Sequence, residues 1–200
     1  MDQRIEGVTA YIVAGGKSSR FGRDKSLYPY EGKPLIEHVI GTLSLVFDRI
    51  VIVADESAKF AYLGLECIPD AVPAHGPIGG IYSALLHAAG PYSFISACDM
   101  PFLSAGLIRY MGTFIGTHDV IVPCVNEFYE PLHAFYSRAC IDPLCSAIEE
   151  NRRQIIRIFP AVNVRRIPED EIRRFTDPSH VFHNINFIED IAGPPGGMPA

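Results

Sequence analysis

The segment from Gly15 to Lys25 combines adjacent glycines with a concentration of positive charge. It follows an apolar run over residues 8–14 that is typical of a buried strand. Glycines allow a backbone to approach a ligand closely, and successive N–H groups can then bind an anion. Four cationic residues lie within nine positions here, namely Lys17, Arg20, Arg23 and Lys25. Backbone donors and clustered cations after a strand predict a binding site for a polyphosphate.

The spacing of this segment excludes two familiar phosphate-binding loops. A G-x-x-x-x-G-K-[ST] loop would need a lysine after Gly22, where Arg23 stands, and the dinucleotide pattern G-x-G-x-x-G is absent. The alternative is a solvated basic turn that joins a strand to a helix. That alternative explains the length less well, because plain turns rarely span roughly ten residues.

Asp99 directly follows a second apolar run, residues 94–98, and precedes Met100 and Pro101. A carboxylate at the carboxyl end of a buried strand contributes little to packing, and its oxygens suit a hard cation such as Mg²⁺. From position alone, a helix cap or a turn aspartate is the alternative.

Residues 70–80 form a second glycine-rich segment. Three glycines, Gly76, Gly79 and Gly80, fall within five positions, and a helical pattern follows them. This arrangement predicts a helix N-terminus that an anion or another backbone can approach. Without further information, Asp70 can equally be a turn residue, and His75 is expected to be a loop histidine rather than a catalyst.

Short apolar runs alternate with helical stretches along the chain. Strands are predicted at residues 8–14, 49–54, 92–98, 120–125 and 131–136. Helices are predicted over residues 35–47, from 81 up to the Gly90-Pro91 pair, and over 107–111 with Ser104 as N-cap. Continuous apolar strands separated by helices indicate a doubly wound, mostly parallel α/β sheet. A hairpin turning at residues 126–130 predicts a mixed extension of that sheet.

The composition excludes several classes of protein. The formal charge is −6, from 17 basic and 23 acidic residues, which argues against a nucleic-acid partner. No apolar run reaches the roughly 20 residues of a membrane span, and no secretory signal pattern is present, so a cytoplasmic protein is expected.

The five cysteines form no Cys-x-x-Cys pair, and we expect reduced, mostly buried thiols. One domain over residues 1–192 is predicted, with a disordered tail at 193–200.

The first glycine-rich segment resembles the signature loop of a known family. A-G-G-x-S-x-R-x-G-x-D-K is similar to the loop of the molybdenum cofactor guanylyltransferases, with Phe21 where the family usually has Met. The resemblance implies a single-domain, three-layer fold of the nucleotide-diphospho-sugar transferase type. It also implies that the backbone of Val13, Ala14 and Gly15 binds the guanine nucleotide. Lys25 would contact its phosphates, and Arg20 would face the phosphates or a pterin substrate.

Two further motifs of the family are present in the same order. C-D-M-P-F resembles the family's metal motif, which implies that Asp99 ligates a Mg²⁺ ion bridging the nucleotide phosphates. The 70–80 segment resembles D…G-P-l-x-G, which implies that Asp70 contacts the nucleotide and that Gly76 lies in the substrate cleft. Some members have an Asn contacting the nucleotide where Val53 stands, and no role is assigned to Val53.

The C-terminal third carries two more motifs of the family. Residues 130–136 are similar to its E-P-L-x-A-x-Y strand, in which His133 is expected to be structural or to line the substrate site. Residues 182–190 resemble its F-x-N-[IV]-N-T-P-E-D motif, with Phe187-Ile188 in place of Thr-Pro. Alternate residues of a strand share a face, so Asn184 and Asn186 are predicted to project together and to bind the pterin.

The resemblance implies the transfer of GMP from GTP to molybdenum-molybdopterin, with release of pyrophosphate. Lys25, Arg20 and Asp99 with Mg²⁺ would provide the catalytic charges, and no Ser-His-Asp or Cys-His arrangement is expected. Ala14-Gly15-Gly16 favours guanylyl over cytidylyl transfer. A cytidylyltransferase for the same cofactor, a transferase with a sugar-phosphate acceptor and a non-catalytic nucleotide-binding relative remain the alternatives.

Seven arginines, interspersed with acidic residues, lie between positions 152 and 174. Such a mixed run is typical of a solvated face with ion pairs four residues apart. The alternative is a docking surface, and other cofactor-biosynthesis proteins or apo-molybdoenzymes would then be its partners.

Overall fold

The structure is a computed structural model, and it describes residues 4–14 and 25–185. Its strands in chain order are β1 (Thr9–Val13), β2 (Pro29–Tyr30), β3 (Lys33–Pro34), β4 (Arg49–Val53), β5 (Glu66–Ile68), β6 (Tyr92–Ala97), β7 (Val120–Val125), β8 (Phe128–Tyr129), β9 (His133–Ser137) and β10 (Val164–Ile167). Its α-helices are α1 (Leu35–Leu43), α2 (Pro77–His87), α3 (Ala105–Gly112), α4 (Ile141–Glu149), α5 (Glu169–Ile172) and α6 (Pro178–Val181).

One mixed sheet organises the described residues. Its strand order is β10-β7-β9-β6-β1-β4-β5, and β8 pairs with β7 alone; β2 and β3 form a separate small hairpin. The pairs β1–β4, β1–β6, β4–β5 and β7–β10 are parallel, whereas β9 is antiparallel to both β6 and β7. The predicted parallel sheet with a mixed extension after residue 117 is therefore confirmed. The antiparallel pair β7–β9 corresponds to the predicted hairpin, and β8 is an additional short strand inside the predicted turn.

Helices cover both faces of the sheet, which confirms the predicted three layers. One core lies between the sheet and α1 and α3, and it also contains Val181 and Phe182 from the C-terminal part. The other core lies between the sheet and α2 and α4. Because both faces are covered, the central strands are apolar throughout, and all five residues of β1 are buried.

The ends of the helices follow local sequence signals in most places. Pro34 directly precedes α1, and the Ser104 side chain accepts a hydrogen bond from the Leu107 N–H at 3.3 Å, so it is the predicted N-cap of α3. The prediction that the first helix extends to Phe47 is wrong. The helix ends at Leu43, and a turn then brings the Phe47 ring to within 5.3 Å of the Phe94 ring, measured between centroids.

The cysteines are less buried than the composition led us to expect. All five cysteines lie within the described residues and none forms a disulfide; two are buried and three are partly exposed.

In the two described ranges, no helix has both the length and the apolar character that crossing a bilayer requires. The predicted tail at residues 193–200 lies outside the described residues.

Helix α2 approaches β1 through a glycine. A Cβ atom added at Gly80 would lie 2.6 Å from the Val13 Cγ1 atom, well inside a normal contact. Valine in a strand has little rotational freedom, so the helix would have to move. Gly41, in the middle of α1, has open space where its Cβ would be.

We predict opposite effects for alanine at these two helical positions. Gly80→Ala should lower the free energy of unfolding by roughly 1–2 kcal/mol, because overpacking exceeds the gain in helix propensity. Gly41→Ala should raise it by about 0.5–1 kcal/mol, because only the propensity changes. Urea unfolding of both variants measures the difference, and equal stability would contradict the close packing of α2 on β1.

Candidate nucleotide-binding and acceptor site

Four neighbouring strands end at the same level, and this common edge positions the predicted site. Val13 pairs in register with Val53 on one side and with Ala97 on the other, and Val53 pairs with Ile68. The chain segments that leave these strands therefore emerge side by side, at the carboxyl edge where open α/β sheets bind ligands.

Val13 and Ala14 bring the first glycine-rich segment to this edge. Val13 is the last residue of β1 and is almost completely buried, whereas Ala14 is partly exposed. The Ala14 N–H donates to the Val53 carbonyl at 3.0 Å, which extends the parallel ladder by one residue beyond the strand. Val53 is itself 1% exposed, so its side chain belongs to the core.

Part of the predicted phosphate site lies outside the described residues. Gly15 and Arg20 lie outside the described residues. Lys25 begins a short 3-10 helical segment, Lys25–Leu27, and its side chain is outside the described part of the chain. Their roles remain predictions from the sequence.

Asp99 stands two residues after β6, at the same edge as Ala14. Its side chain is partly exposed, and its backbone carbonyl accepts a hydrogen bond from the Ile185 N–H at 3.2 Å. That bond brings the C-terminal segment, which carries Asn184, to the strand end that carries the predicted metal ligand. The structure thus places Asp99 where the sequence predicted it, and adds its connection to Ile185.

Asp70 follows β5 and organises the segment that leads into α2. Its Oδ1 accepts from the Val72 N–H at 3.0 Å and lies 2.9 Å from the Ser83 Oγ, while the Ala71 N–H donates to that same Oγ at 2.8 Å. A Cβ on Gly79 would lie 2.8 Å from the Asp70 Oδ2, so glycine there leaves room for the carboxylate. The supporting residue Ser83, which the sequence analysis missed, is one of few polar residues in an apolar helix.

Gly76 precedes α2 with a backbone conformation that favours glycine. Its φ of 67° and ψ of −148° lie in a region that side chains essentially exclude. Nothing lies within 4 Å of the position a Cβ would take, so the requirement is conformational rather than steric. Gly76 thus allows the chain to turn into α2 at the carboxyl edge of the sheet.

The two aspartates follow strands that are three spacings apart in the sheet. Asp99 follows β6 and Asp70 follows β5, and β1 and β4 lie between those strands. Three strand spacings amount to about 14 Å, which corresponds to the length of a nucleotide rather than to one coordination sphere. Within residues 4–14 and 25–185, no group of three His, Cys, Asp or Glu side chains could hold a metal.

Asn184 does not lie on a strand. The prediction that strand alternation directs Asn184 and Asn186 to the same side is therefore wrong for Asn184. No strand is present at residues 183–185, and the Ile185 N–H donates to the Asp99 carbonyl, which lies after the end of β6. Asn186 lies outside the described residues. The Asn184 Oδ1 is buried and has no hydrogen-bond donor within the described chain, so it can accept a hydrogen bond from a ligand.

His133, the first residue of β9, is fully buried. Its ring lies 5.3 Å from the rings of Phe94 and Phe182, measured between centroids, and both contacts are edge-to-face. Burial lowers the pKa of His133 to about 3, so the imidazole is neutral at pH 7. Neither ring nitrogen has a partner within the described residues. His133 therefore packs in the core, which agrees with the structural role, one of the two roles predicted for it.

Glu130, the residue after β8, is a partly buried carboxyl that lies in the E-P-L-x-A-x-Y motif and has no role predicted from the sequence. Its surroundings raise its pKa from 4.5 to about 7, through desolvation alone. Its side chain makes no hydrogen bond or ion pair within the described residues. An acidic residue just before Pro131 and Leu132 was the only available sequence signal.

Residues 10–165 match the family described as the MobA-like NTP transferase domain. The chain is 37% identical over 192 residues to "Molybdenum cofactor guanylyltransferase" of Desulfosudis oleivorans, covering 94% of each protein. It is 34% identical over 183 residues to "Probable molybdenum cofactor guanylyltransferase" of Pelotomaculum thermopropionicum, covering 92% of this chain and 89% of the relative.

A solved structure shares the same fold. Molybdopterin-guanine dinucleotide biosynthesis protein A from Archaeoglobus fulgidus superposes with a TM-score of 0.79 at 28% identity. The similarity covers 92% of this chain and 95% of that one. It therefore includes both the β1–β4–β5 part of the sheet and the mixed extension.

We predict that Glu130→Gln stabilises the protein in a pH-dependent way. The folded pKa of Glu130 lies above its unfolded value, so its stabilising contribution is complete below about pH 4.5 and is lost as the pH rises through about 7. Gln carries no charge. After allowance for partial solvent exposure, the gain from the substitution should be roughly 1–2 kcal/mol larger at high than at low pH.

Urea unfolding of the unaltered chain and the variant at about pH 5 and about pH 8.5 measures this difference. Glu127→Gln is the matched control, because Glu127 lies three residues away and its side chain is 82% exposed. A change at Glu127 should stay within about 0.5 kcal/mol at either pH. A gain for Glu130→Gln that is the same at both pH values would contradict the burial argument.

Proposed function

Because the chain belongs to the MobA-like NTP transferase domain family, we propose that it transfers GMP from GTP to molybdenum-molybdopterin. The products are molybdopterin guanine dinucleotide and pyrophosphate. The observation that carries the proposal is the similarity to relatives named molybdenum cofactor guanylyltransferase over more than nine-tenths of the chain. The fold supports it, since the predicted nucleotide and acceptor segments lie along one edge of one sheet.

The reaction needs charge and alignment more than it needs a base. The attacking group is the terminal phosphate of the acceptor, which is already anionic near pH 7, and the bond that breaks joins the α- and β-phosphates of GTP. His133 is buried and neutral, so it has neither the access nor the basicity to take a proton. The protein therefore contributes positioning and neutralisation of the triphosphate.

The nucleotide occupies the β1–β4–β5 half of the edge in this proposal. The backbone of Val13, Ala14 and Gly15 contacts the nucleotide, and Asp70 binds it at the far end of the same edge. Support comes from the common level of the strand ends, and from the hydrogen bonds that hold Asp70 to Val72 and Ser83. Lys25 and Arg20 face the phosphates.

Asp99 is the ligand that would hold a divalent metal, and we propose Mg²⁺. The donor chemistry fits, because Mg²⁺ is commonly bound by one or two carboxylates together with substrate phosphates, so a single aspartate suffices. When bound, the ion supplies positive charge to the phosphate oxygens as pyrophosphate departs. Asp99 also helps to define the acceptor side, through its hydrogen bond to Ile185.

The acceptor lies on the other half of the edge, beside the C-terminal segment. Asn184 and Asn186 bind the pterin, and Gly76 and Arg20 contact the acceptor across the cleft. The unsatisfied Asn184 Oδ1 supports this assignment, because a buried acceptor without a donor is costly unless a ligand supplies one.

The cellular setting follows from the chemistry of the substrates. GTP and reduced thiols point to the cytoplasm. In the arginine-rich run, Arg173 pairs with Glu169 at 2.9 Å on the surface, four residues apart, whereas the pair of Arg165 with Glu171 at 2.8 Å is partly buried. Other cofactor-biosynthesis proteins and apo-molybdoenzymes remain partners proposed from the resemblance alone.

Base preference gives a first prediction. In equilibrium titrations with Mg²⁺, GTP should bind at least ten-fold more tightly than CTP, a difference of about 1.4 kcal/mol. ATP serves as the purine control. Equal affinities for GTP and CTP would exclude guanylyl transfer and favour a cytidylyl relative.

A second prediction concerns Asp99. Asp99→Asn keeps the shape of the side chain and removes the charge, so pyrophosphate release should fall on the order of 10²-fold while GTP affinity changes much less. A Mg²⁺ titration of pyrophosphate release with GTP and molybdenum-molybdopterin measures the loss. Asp48→Asn is the control, since Asp48 precedes β4 at the opposite edge and is 67% exposed. Near-normal turnover of Asp99→Asn at ordinary Mg²⁺ concentrations would remove Asp99 from the site.

A further inference from the structure

The Glu130 carboxyl is partly buried, and within the described residues no group compensates for its loss of solvent. Asp70, in contrast, accepts hydrogen bonds from its own segment, and Glu171 is paired with Arg165 and Tyr110. Within the described chain, no donor or cation reaches the Glu130 side chain, and desolvation is the sole cause of its raised pKa. Such a group lowers stability unless something else binds it.

Backbone pairing places Glu130 on a defined face of the sheet. The β7–β8 ladder pairs Cys124 with Tyr129, and the Glu130 N–H continues it by donating to the Pro123 carbonyl at 3.0 Å. Tyr129 packs on the α2–α4 side, with its ring 5.0 Å from that of Phe159 between centroids. Alternation along the chain therefore directs Glu130 to the opposite face.

That face is the one on which the acceptor segment lies. The Glu130 carbonyl accepts from the His133 N–H at 2.9 Å, and the His133 ring contacts Phe182 on this same face. Asn184, with its unsatisfied Oδ1, follows Phe182 by two residues, and Ile185 reaches Asp99. Glu130 and Asn184 thus provide oxygen acceptors on the Asp99 side of the cleft.

The sheet order separates Glu130 from the nucleotide half. The strand β7, which pairs with the segment carrying Glu130, is three strand spacings from β1, with β9 and β6 between them. This distance is about 14 Å. The first glycine-rich segment and Asp70 lie on the β1–β4–β5 side.

Two carboxylate oxygens match a pair of neighbouring N–H donors. A 2-amino-4-oxo heterocycle presents a ring N–H beside its amino group, and a carboxylate can accept from both at once. These donors favour the charged form of the carboxyl, so they would offset the desolvation that raises its pKa. The pterin of the acceptor and the guanine of GTP both carry this edge, and the sheet order favours the pterin.

We propose that the Glu130 carboxylate binds the ring N–H and 2-amino donors of the pterin, and so selects the acceptor. This inference rests on the proposed function and adds a specificity-determining residue to it. Glu130 acts by recognition and takes no part in the bond changes at phosphorus.

Paired analogues that lack only the 2-amino group test the proposal. Pterin is compared with pteridin-4-one, and GTP with ITP, by equilibrium titration in the presence of Mg²⁺. The unaltered chain should bind pterin at least about ten-fold more tightly than pteridin-4-one, since a hydrogen bond to a charged group is lost. In Glu130→Gln this ratio should fall below about three-fold, because the amide provides one acceptor and one opposing donor.

Two readouts separate recognition from a general structural defect. The GTP-to-ITP ratio should be unchanged in Glu130→Gln, and Glu127→Gln should keep both ratios. Unfolding measurements on the same variant establish that it is folded.

The remaining outcomes overturn the proposal in distinguishable ways. No saturable pterin binding by the unaltered chain, or an unchanged pterin ratio in Glu130→Gln, removes Glu130 from acceptor recognition. If Glu130→Gln loses the preference for GTP over ITP and keeps the preference for pterin over pteridin-4-one, Glu130 binds guanine and not the pterin. The proposed function is judged separately, by GTP binding and by pyrophosphate release with molybdenum-molybdopterin.

Discussion

The common level at which β6, β1, β4 and β5 end is the constraint on which the site depends. Val13 is held in register by Val53 and Ala97, and β1, β5 and β6 are each followed by a segment with a predicted ligand contact. A shift by one residue in any pair would exchange buried and exposed side chains over the whole strand. The two hydrophobic cores therefore fix the register in which these strands pair. That register in turn fixes where the polar segments leave the sheet.

The same sheet provides different surroundings for the two substrates. Its β1–β4–β5 half is parallel, so successive segments emerge at one edge, where we propose that the nucleotide binds. The antiparallel β9 instead runs back between β6 and β7, and brings residues of the β8–β9 connection towards that edge. In the proposed function, one change of strand direction thus separates the half of the edge assigned to the nucleotide from the half assigned to the acceptor.

Three carboxyl groups, of Asp70, Asp99 and Glu130, lie in different surroundings. Asp70 is satisfied by its own segment, and Asp99 lies at a partly exposed strand end that a metal and phosphates can reach. Glu130 is partly buried, and no group within the described chain offsets the desolvation that raises its pKa. Sites that break the usual rules of burial in this way are expected where a ligand completes the hydrogen bonding.

The close packing of α2 on the sheet connects stability to the site. Gly80 lets the helix approach Val13, and Gly79 leaves room for the Asp70 carboxylate. Both glycines lie in the first turn of the helix, directly after the bend at Gly76. A larger residue at either position would displace the helix end that faces the substrate cleft.

The sequence by itself determined the features that depend on local chemistry. Apolar β-branched runs identified β1, β4, β6 and β7 to within about a residue, Ser104 was identified as a cap, and Asp99 was placed after β6. The family motifs identified the reaction. These signals are local, because strand propensity, capping and a metal-binding carboxylate are visible within a few residues.

Only the tertiary structure decided which distant residues meet. The strands β5 and β10 are short and partly polar, and they exist because β4 and β7 offer them edges to pair with. Helix α1 ends before Phe47, because stacking on Phe94 requires a turn there. Asn184 was predicted on a strand, yet the adjacent Ile185 hydrogen-bonds to Asp99, some 86 positions earlier in the chain. In the sequence, Glu130 is visible only as the first residue of the E-P-L-x-A-x-Y motif, and its partial burial follows from the segments folded around it, which no local pattern encodes.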